Sequence, residues 1–427
     1  MFEVREKAER ALLVGVQLPF GSPAESEESL DELALLADTA GAKVVDRVVF
    51  RRKRLDPALF VGRGAAERLA SEVEEREIDV VLFDEDLSPG QARNLEQVIE
   101  TKVVDRSGLI LDIFARRART QAAKIQVELA QLEYLLPRLT RQWTHLSRQA
   151  GGGGGGGGGA MGGIGTRGPG ETQLEVDRRL VRKRIKDLSQ ALKRIERSRA
   201  VQRKGRHGTY RVALVGYTNA GKSTMLNALS GAEAFVEDRL FATLDAMTRV
   251  VQIAPKQKIL MTDTVGFIRK LPPGLVASFR STLDEVVEAD LLLHVVDVNH
   301  RAYVEHVASV NEVLADLGVL EKPALLLLNK VDLLQEDSLL TSLRKMHPEG
   351  ILVSAETGIG LDEVRGAIEA RMQENRVVLH VNVPHGDGKR LAELEAAGEV
   401  LERLIEEDHI RMSVRVDREE ARRISKI

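Results

Sequence analysis

The chain has 427 residues, 43% hydrophobic and only 4% aromatic, a length that predicts about three domains with ordinary cores. Charged residues make up 30%, yet acids and bases nearly cancel to a formal net charge of −3, so any nucleic-acid surface must come from local clustering. With no cysteine, disulfides and thiolate metal sites are excluded, and no apolar run approaches the about 18 residues that a membrane-spanning helix needs. Met1 leads into the charged Phe2-Glu3-Val4-Arg5-Glu6-Lys7, which does not read as a signal peptide, and a soluble cytoplasmic protein is expected.

Short apolar runs alternate with amphipathic stretches over the first 117 residues. Strands are predicted at Ala11–Leu18, Val44–Phe50, Val80–Phe83 and Lys102–Asp105, and helices at Leu30–Ala40, Ala65–Arg76 and Pro89–Glu100. That alternation implies a small parallel sheet with helices packed on it. Phe60-Val61-Gly62-Arg63-Gly64 lacks a third glycine and a phosphate-loop lysine, so it is read as a structural turn.

Gln121–Arg148 carries a different pattern. Ile125, Leu129, Leu132, Leu136, Leu139, Trp143 and Leu146 follow alternating steps of four and three, a heptad seam on a long helix that Pro137 should kink. A second seam, Val181, Ile185, Leu188, Leu192 and Ile195, predicts that two helices cover each other as an antiparallel hairpin. The second helix is strongly basic, with Arg178, Arg179, Arg182, Lys183, Arg184 and Lys186 in its first half, which points to RNA or phosphate. Between the helices runs Gly151–Gly159, unbroken glycine that cannot build a packed core; it is either a low-complexity expansion or an introduced segment.

Further along, Gly216-Tyr217-Thr218-Asn219-Ala220-Gly221-Lys222-Ser223-Thr224 fits G-x-x-x-x-G-K-[ST], between a predicted strand at Arg211–Val215 and a helix starting near Met225. Its amides would face phosphate oxygens, backed by the positive end of the helix. Lys222 would reach the β- and γ-phosphates, and Ser223 would take one site on Mg²⁺. Strands at Ile259–Met261, Leu291–Val296, Ala324–Leu328 and Ile351–Val353 complete a doubly wound sheet. After the first comes Asp263-Thr264-Val265-Gly266, with Asp263 for Mg²⁺ and Gly266 for the γ-phosphate.

Asn329-Lys330-Val331-Asp332 follows another strand. Asp332 would accept from N1 and N2 of guanine; adenine, lacking those donors, would leave the carboxylate unpaired. Lys330 would lie along the base, Asn329 would tie this loop to the phosphate loop, and Ser354-Ala355-Glu356 would meet guanine O6 through the backbone. In Phe241-Ala242-Thr243-Leu244-Asp245, Thr243 is the candidate second metal ligand, with Thr248 as its rival. Four motifs in this order, each at a strand's end, predict a GTPase whose catalytic groups include Lys222, Thr243 and Gly266. Beyond residue 374, strands at Val377–Val383 and Ile410–Val416 flank a helix at Arg390–Glu407, a small βαβ-like unit closed by a short basic helix.

The chain resembles the HflX family of ribosome-associated GTPases. The resemblance rests on the GTPase motifs, on Val104-Asp105-Arg106-Ser107-Gly108-Leu109-Ile110-Leu111-Asp112-Ile113-Phe114, on Gln126–Leu132, on Arg167-Gly168-Pro169-Gly170-Glu171-Thr172-Gln173-Leu174-Glu175, and on Leu240–Asp245. It implies an N-terminal α/β domain (1–120), a long antiparallel helical hairpin (121–207, with its glycine-rich loop at 151–170), a P-loop GTPase domain (208–374) and a small α+β C-terminal domain (375–427). It also implies GTP and GDP as ligands, docking on the large (50S) ribosomal subunit and its rRNA, and a role in ribosome splitting, rescue or biogenesis. A cytoplasmic, ribosome-associated monomer is expected, at most transiently at a membrane surface. Where Ras-like proteins carry a water-orienting glutamine, Phe267 stands, as in hydrophobic-substituted GTPases. In that class an asparagine such as Asn219 goes with K⁺, which acts where an arginine finger otherwise would. Slow intrinsic hydrolysis, stimulated by ribosomal subunits, is therefore expected. The alternative is a GTP-binding assembly or membrane-regulatory protein with incidental hydrolysis.

Overall fold

The computed structural model describes residues 8–20, 22–139, 173–204, 209–231, 240–241, 243–254, 257–270, 280–374, 376–417, 421 and 424. Trp143, Leu146, the glycine-rich loop, Ala242 and nearly all of the closing basic segment lie outside the described residues. The chain divides into two compact units: Met1–Glu196 with Asp238–Leu244 and Lys270–Arg280, and Arg197–Glu237 with Asp245–Arg269 and Ser281–Ile427.

In the first unit, β1 (Arg10–Gln17), β2 (Lys43–Arg51), β3 (Val80–Phe83) and β4 (Lys102–Asp105) pair in parallel in the order β2-β1-β3-β4. The crossovers are α1 (Pro23–Thr39), α2 (Arg63–Glu75) and α3 (Pro89–Ile99). Ala11 to Val14 are all buried, because an inner parallel strand has both faces covered. α1 and α3 start alike. Ser22 and Ser88 each accept an amide from the third helical residue, Glu25 and Gln91 return the bond, and proline sits in the first turn. Each such cap stabilises its helix by about 1 kcal/mol. Within the Phe60–Gly64 stretch, Phe60 closes a turn with Asp56, the two exchanging backbone hydrogen bonds at 2.8 and 3.0 Å, while Gly62 precedes α2 and Arg63 and Gly64 open it.

Helix α4 (Arg106–Arg117) has no counterpart among the predicted elements; it is followed by α5 (Gln121–Leu135). One carboxylate joins them. Asp105, 2% exposed at the end of β4, accepts from the Gly108 amide at 2.9 Å and the Tyr134 hydroxyl at 2.7 Å through Oδ1. Its Oδ2 accepts from the Leu87 amide at 3.1 Å and from Arg138 at 2.9 Å. The Arg138 guanidinium also covers the Tyr134 ring, 3.6 Å from its centre. Burial and the Asp105 charge push the Tyr134 phenol far up, so it stays a donor. Asp105→Ala strands Arg138 and Tyr134 together, and the expected cost to the first unit is about 3–5 kcal/mol. Native-state hydrogen exchange of β4 and α5 amides reads it. Undiminished protection would mean that water replaces the carboxylate.

α5 ends at Leu135 and gives way to a 3₁₀ turn, Leu136–Arg138. This corrects the expected kinked continuation: with no amide to donate, Pro137 ends the α-helical ladder. The second hairpin helix, α6 (Gln173–Lys204), packs its seam on α5. Ile125, Leu129 and Leu188 are buried, flanked by Leu132, Ile185 and Leu192. Arg178 donates to the Leu139 carbonyl at 2.9 Å, and Arg184 pairs with Glu128 at 2.7 and 2.9 Å. Ascending numbers on α6 thus meet descending numbers on α5, which makes the hairpin antiparallel.

In the second unit, β5 (Arg211–Gly216), β6 (Met247–Ala254), β7 (Gln257–Asp263), β8 (Leu291–Asp297), β9 (Ala324–Asn329) and β10 (Ile351–Leu352) form one sheet, ordered β10-β9-β8-β5-β7-β6. All pairs are parallel except β6 with β7. Helices α7 (Lys222–Ser230), α8 (Arg280–Glu288), α9 (Tyr303–Asp316), α10 (Asp337–Met346) and α11 (Leu361–Glu374) accompany it. Leu214, Leu293, Leu327, Met225 and Val364 lie in one continuous core under α7 and α11.

The C-terminal part corrects two expectations. α12 (Gly388–Ala397) is short, and Glu399–Ile405 is a strand, β12, where a continuing helix was expected. Gly398 makes the difference: a Cβ there would sit 2.3 Å from the Arg415 carbonyl oxygen, so only glycine admits the close approach that starts the strand. With β11 (Arg376–Pro384) and β13 (His409–Asp417) it forms an antiparallel sheet, β11-β13-β12, in place of a βαβ unit.

Candidate functional site

The loop between β5 and α7 takes its shape from two glycines. Gly221 has φ +94°, and a Cβ there would lie 2.3 Å from the Asn329 amide nitrogen. A Cβ at Gly266 would lie 2.7 Å from Thr218 Cα and 3.1 Å from Lys222 Nζ. Both close approaches are possible only for glycine. Asn219 occupies the left-handed region at φ 61°, which asparagine tolerates better than most residues.

Lys222 is 6% exposed, and its ammonium donates to the Tyr217 and Gly216 carbonyls at 2.8 and 3.1 Å. Burial pushes its pKa down to about 8, against the pull of Asp263. Next to it, the Ser223 hydroxyl donates to Asp263 Oδ2 at 2.5 Å, so two hard oxygen donors meet at the mouth of the loop. Such a set suits Mg²⁺, which takes oxygen ligands.

The segment after β7 is stitched to the phosphate loop. Thr218 donates its amide to the Phe267 carbonyl at 2.7 Å, and Phe267 returns its own to the Gly216 carbonyl at 3.1 Å. Thr264, fully buried, donates to the Leu214 carbonyl at 2.6 Å, while Val265 and Phe267 are buried as well. Phe267 is 2% exposed, so its ring is committed to the core as well as unable to hydrogen-bond water.

At the other end of the site, Asn329 donates to the Ala220 carbonyl at 2.8 Å and accepts from the Ala355 amide at 3.0 Å. One side chain thus joins the phosphate loop to the Ser354-Ala355 turn. Ser354 is fully buried and accepts from the Thr357 amide at 3.1 Å. Lys330 is more constrained than its sequence indicates. Its ammonium pairs with Asp297 at 2.6 Å, which anchors the charge at the end of β8 and leaves the aliphatic stem to flank a base. Val331 is buried, whereas Asp332 and Glu356 are exposed.

Phe241, Thr243 and Leu244 belong to the first unit, where the Phe241 ring meets Phe114 edge-on at 4.7 Å; Asp245 belongs to the second. Thr248, the rival to Thr243, has its hydroxyl 2.9 Å from that of Thr262 between β6 and β7, which commits it to the sheet.

Sequence reading passed over two groups. His294 on β8 is buried, and its Nε2 has no hydrogen-bond partner among the described residues. Burial, with Lys222 nearby, pushes its pKa down to about 4, so the ring is neutral. The second group is a stack of Tyr217 on His306. A lone histidine in a strand or helix carries no motif, so neither had a signal to find.

A parallel sheet with a glycine-rich loop running into a helix, an Asp-x-x-Gly turn and an Asn-Lys-x-Asp turn at its strand ends defines a P-loop GTPase. Residues 27–115 match the family described as GTP-binding GTPase N-terminal, 117–206 the GTP-binding GTPase middle region, and 211–330 the 50S ribosome-binding GTPase family. The GTPase HflX of Caldanaerobacter subterraneus subsp. tengcongensis is 44% identical over 422 residues, 97% of this chain and 93% of that one. The GTPase HflX of Escherichia coli is 40% identical over 430 residues, 100% of this chain and 98% of that one. A GTP-binding protein from Sulfolobus solfataricus, solved with GDP, aligns at TM-score 0.44 and 25% identity, covering 86% of this chain and 99% of that one. The chain belongs to the HflX family of GTPases and hydrolyses GTP.

Proposed function

We propose that this GTPase acts on the large ribosomal subunit, in splitting, rescue or biogenesis, with hydrolysis slow alone and stimulated by the subunit. The observation that carries this reading is the hairpin. Arg182, Lys183 and Lys186 are exposed on α6, while the seam behind them is buried against α5. A rigid basic helix in a chain of formal net charge −3 is suited to A-form RNA, which offers phosphates and 2′-hydroxyls more readily than base edges. The match of residues 211–330 to a family described as 50S ribosome-binding supports the same partner.

In the nucleotide site, Lys222 and the amides of Gly216–Thr224 hold the phosphates. Gly266 offers its amide to the γ-phosphate. Asp332 reads guanine N1 and N2, with Ser354 and Ala355 beside O6. Ser223 and Asp263 would hold Mg²⁺, which would supply charge neutralisation at the phosphates. Since Phe267 cannot orient water, Asn219 would hold a K⁺ ion, which would supply charge stabilisation during hydrolysis. Turnover should be measured in K⁺ and in Na⁺, with and without purified large subunits. Stimulation by subunits of at least about tenfold, or 1.4 kcal/mol of barrier, is expected. Equal rates with and without subunits would sink the ribosomal reading, and equal rates in the two salts would remove Asn219 from the mechanism.

A further inference from the structure

The turn that follows Gly266 is held by a side chain as well as by the backbone exchange between Phe267 and the phosphate loop. The Arg269 amide donates to the Tyr217 hydroxyl at 2.8 Å. Tyr217 is itself a phosphate-loop residue, 5% exposed, and its ring lies flat on the imidazole of His306 in α9, with centroids 3.7 Å apart and planes 6° from parallel. His300 backs that imidazole at 4.5 Å. Burial, helped by His300 and Arg269, pushes the pKa of His306 down to about 3, so a neutral ring faces the phenol. A buried tyrosine clamped on one face has little rotamer freedom left, which fixes where its hydroxyl can receive Arg269.

We propose that Tyr217, braced by His306, is a positioning residue for GTP hydrolysis: it fixes the Gly266–Arg269 turn against the phosphate loop, so that the γ-phosphate step depends on it while diphosphate binding does not. The distinction follows from which groups each ligand needs. GDP is held by the loop amides, Lys222 and the guanine turns. Only the γ-phosphate needs the Gly266 amide, whose place is set by what anchors the residues after it. The phosphate loop can therefore stay intact while the turn drifts, and a small misplacement near reacting atoms is enough to slow chemistry. The inference rests on the GTPase activity of the family and not on the ribosomal reading, so basal turnover of the full chain tests it without subunits.

Three variants separate this from a merely structural role. Y217F keeps the ring on His306 but removes the acceptor of the Arg269 amide. It is expected to lower single-turnover kcat about tenfold while the Kd for GDP stays within about twofold. Exchange of the Arg269 amide should quicken in the same variant. H306A removes the brace and should repeat the kcat loss, whereas H306F, which restores a flat ring, should recover most of it. Wild-type kcat in Y217F, unchanged exchange at Arg269, or a loss of GDP affinity equal to the loss of kcat would each overturn the proposal. An H306F variant as slow as H306A would overturn the part played by stacking.

Discussion

Lys222→Ala is expected to weaken GTP binding by at least about a hundredfold, the largest single effect in the nucleotide site. The ammonium is buried, so its charge is not screened by water as a surface lysine's would be. Its present partners are the Gly216 and Tyr217 carbonyls, which lie in the loop where phosphates are expected. A charge-assisted bond from a buried donor contributes about 1.5–3 kcal/mol, and the β- and γ-phosphates would together take two. Arginine should not rescue the variant, since a planar fork cannot replace a compact ammonium in a packed loop. Calorimetry with GTP checks this, with circular dichroism as the control for folding. Unchanged affinity would falsify the assignment of Gly216–Thr224 as the phosphate loop.

The second large effect concerns the hairpin. Not every basic residue of α6 is free to act on RNA, because Arg178 is engaged with the Leu139 carbonyl and Arg184 with Glu128. Changing those two would damage the hairpin itself. Arg182, Lys183 and Lys186 are exposed, and their joint change to Glu leaves the buried seam untouched. Each lysine or arginine that neutralises a phosphate releases counterions, so losing about three such contacts should weaken large-subunit binding about a hundredfold or more. The salt dependence should flatten in parallel, whereas the Kd for free GTP should stay put. Sedimentation with large subunits across a salt series reads both quantities. A triple variant that pellets at the wild-type salt midpoint would mean that these charges only solvate the helix.

Much of the nucleotide site was legible because its chemistry needs fixed residue types at fixed spacing along one continuous stretch. Gly221 can only be glycine beneath Asn329, and Lys222 must follow it to reach the phosphates, so the letters carry the geometry. The parallel sheets were legible for a similar reason: Ala11–Val14 is an unbroken apolar run and Leu291–Val296 is interrupted only by His294, a pattern that suits doubly covered strands. The heptad seams named their own partner, since Ile125, Leu129 and Leu188 had nothing else of matching period to cover.

What the tertiary structure alone decided are the places where distant residues share one atom or one face. Asp105 gathers donors from Leu87, Gly108, Tyr134 and Arg138, four positions with no common period. Lys330 finds Asp297 across two neighbouring strand ends, and Tyr217 finds His306 on a helix far along the chain. β12 is the plainest case. Val400, Leu401, Leu404 and Ile405 repeat as a helix would, yet all are exposed on an edge strand. Its fate is set by the hydrogen bonds that β13 offers once Gly398 lets it approach, and a local pattern cannot report a partner that only the fold brings near.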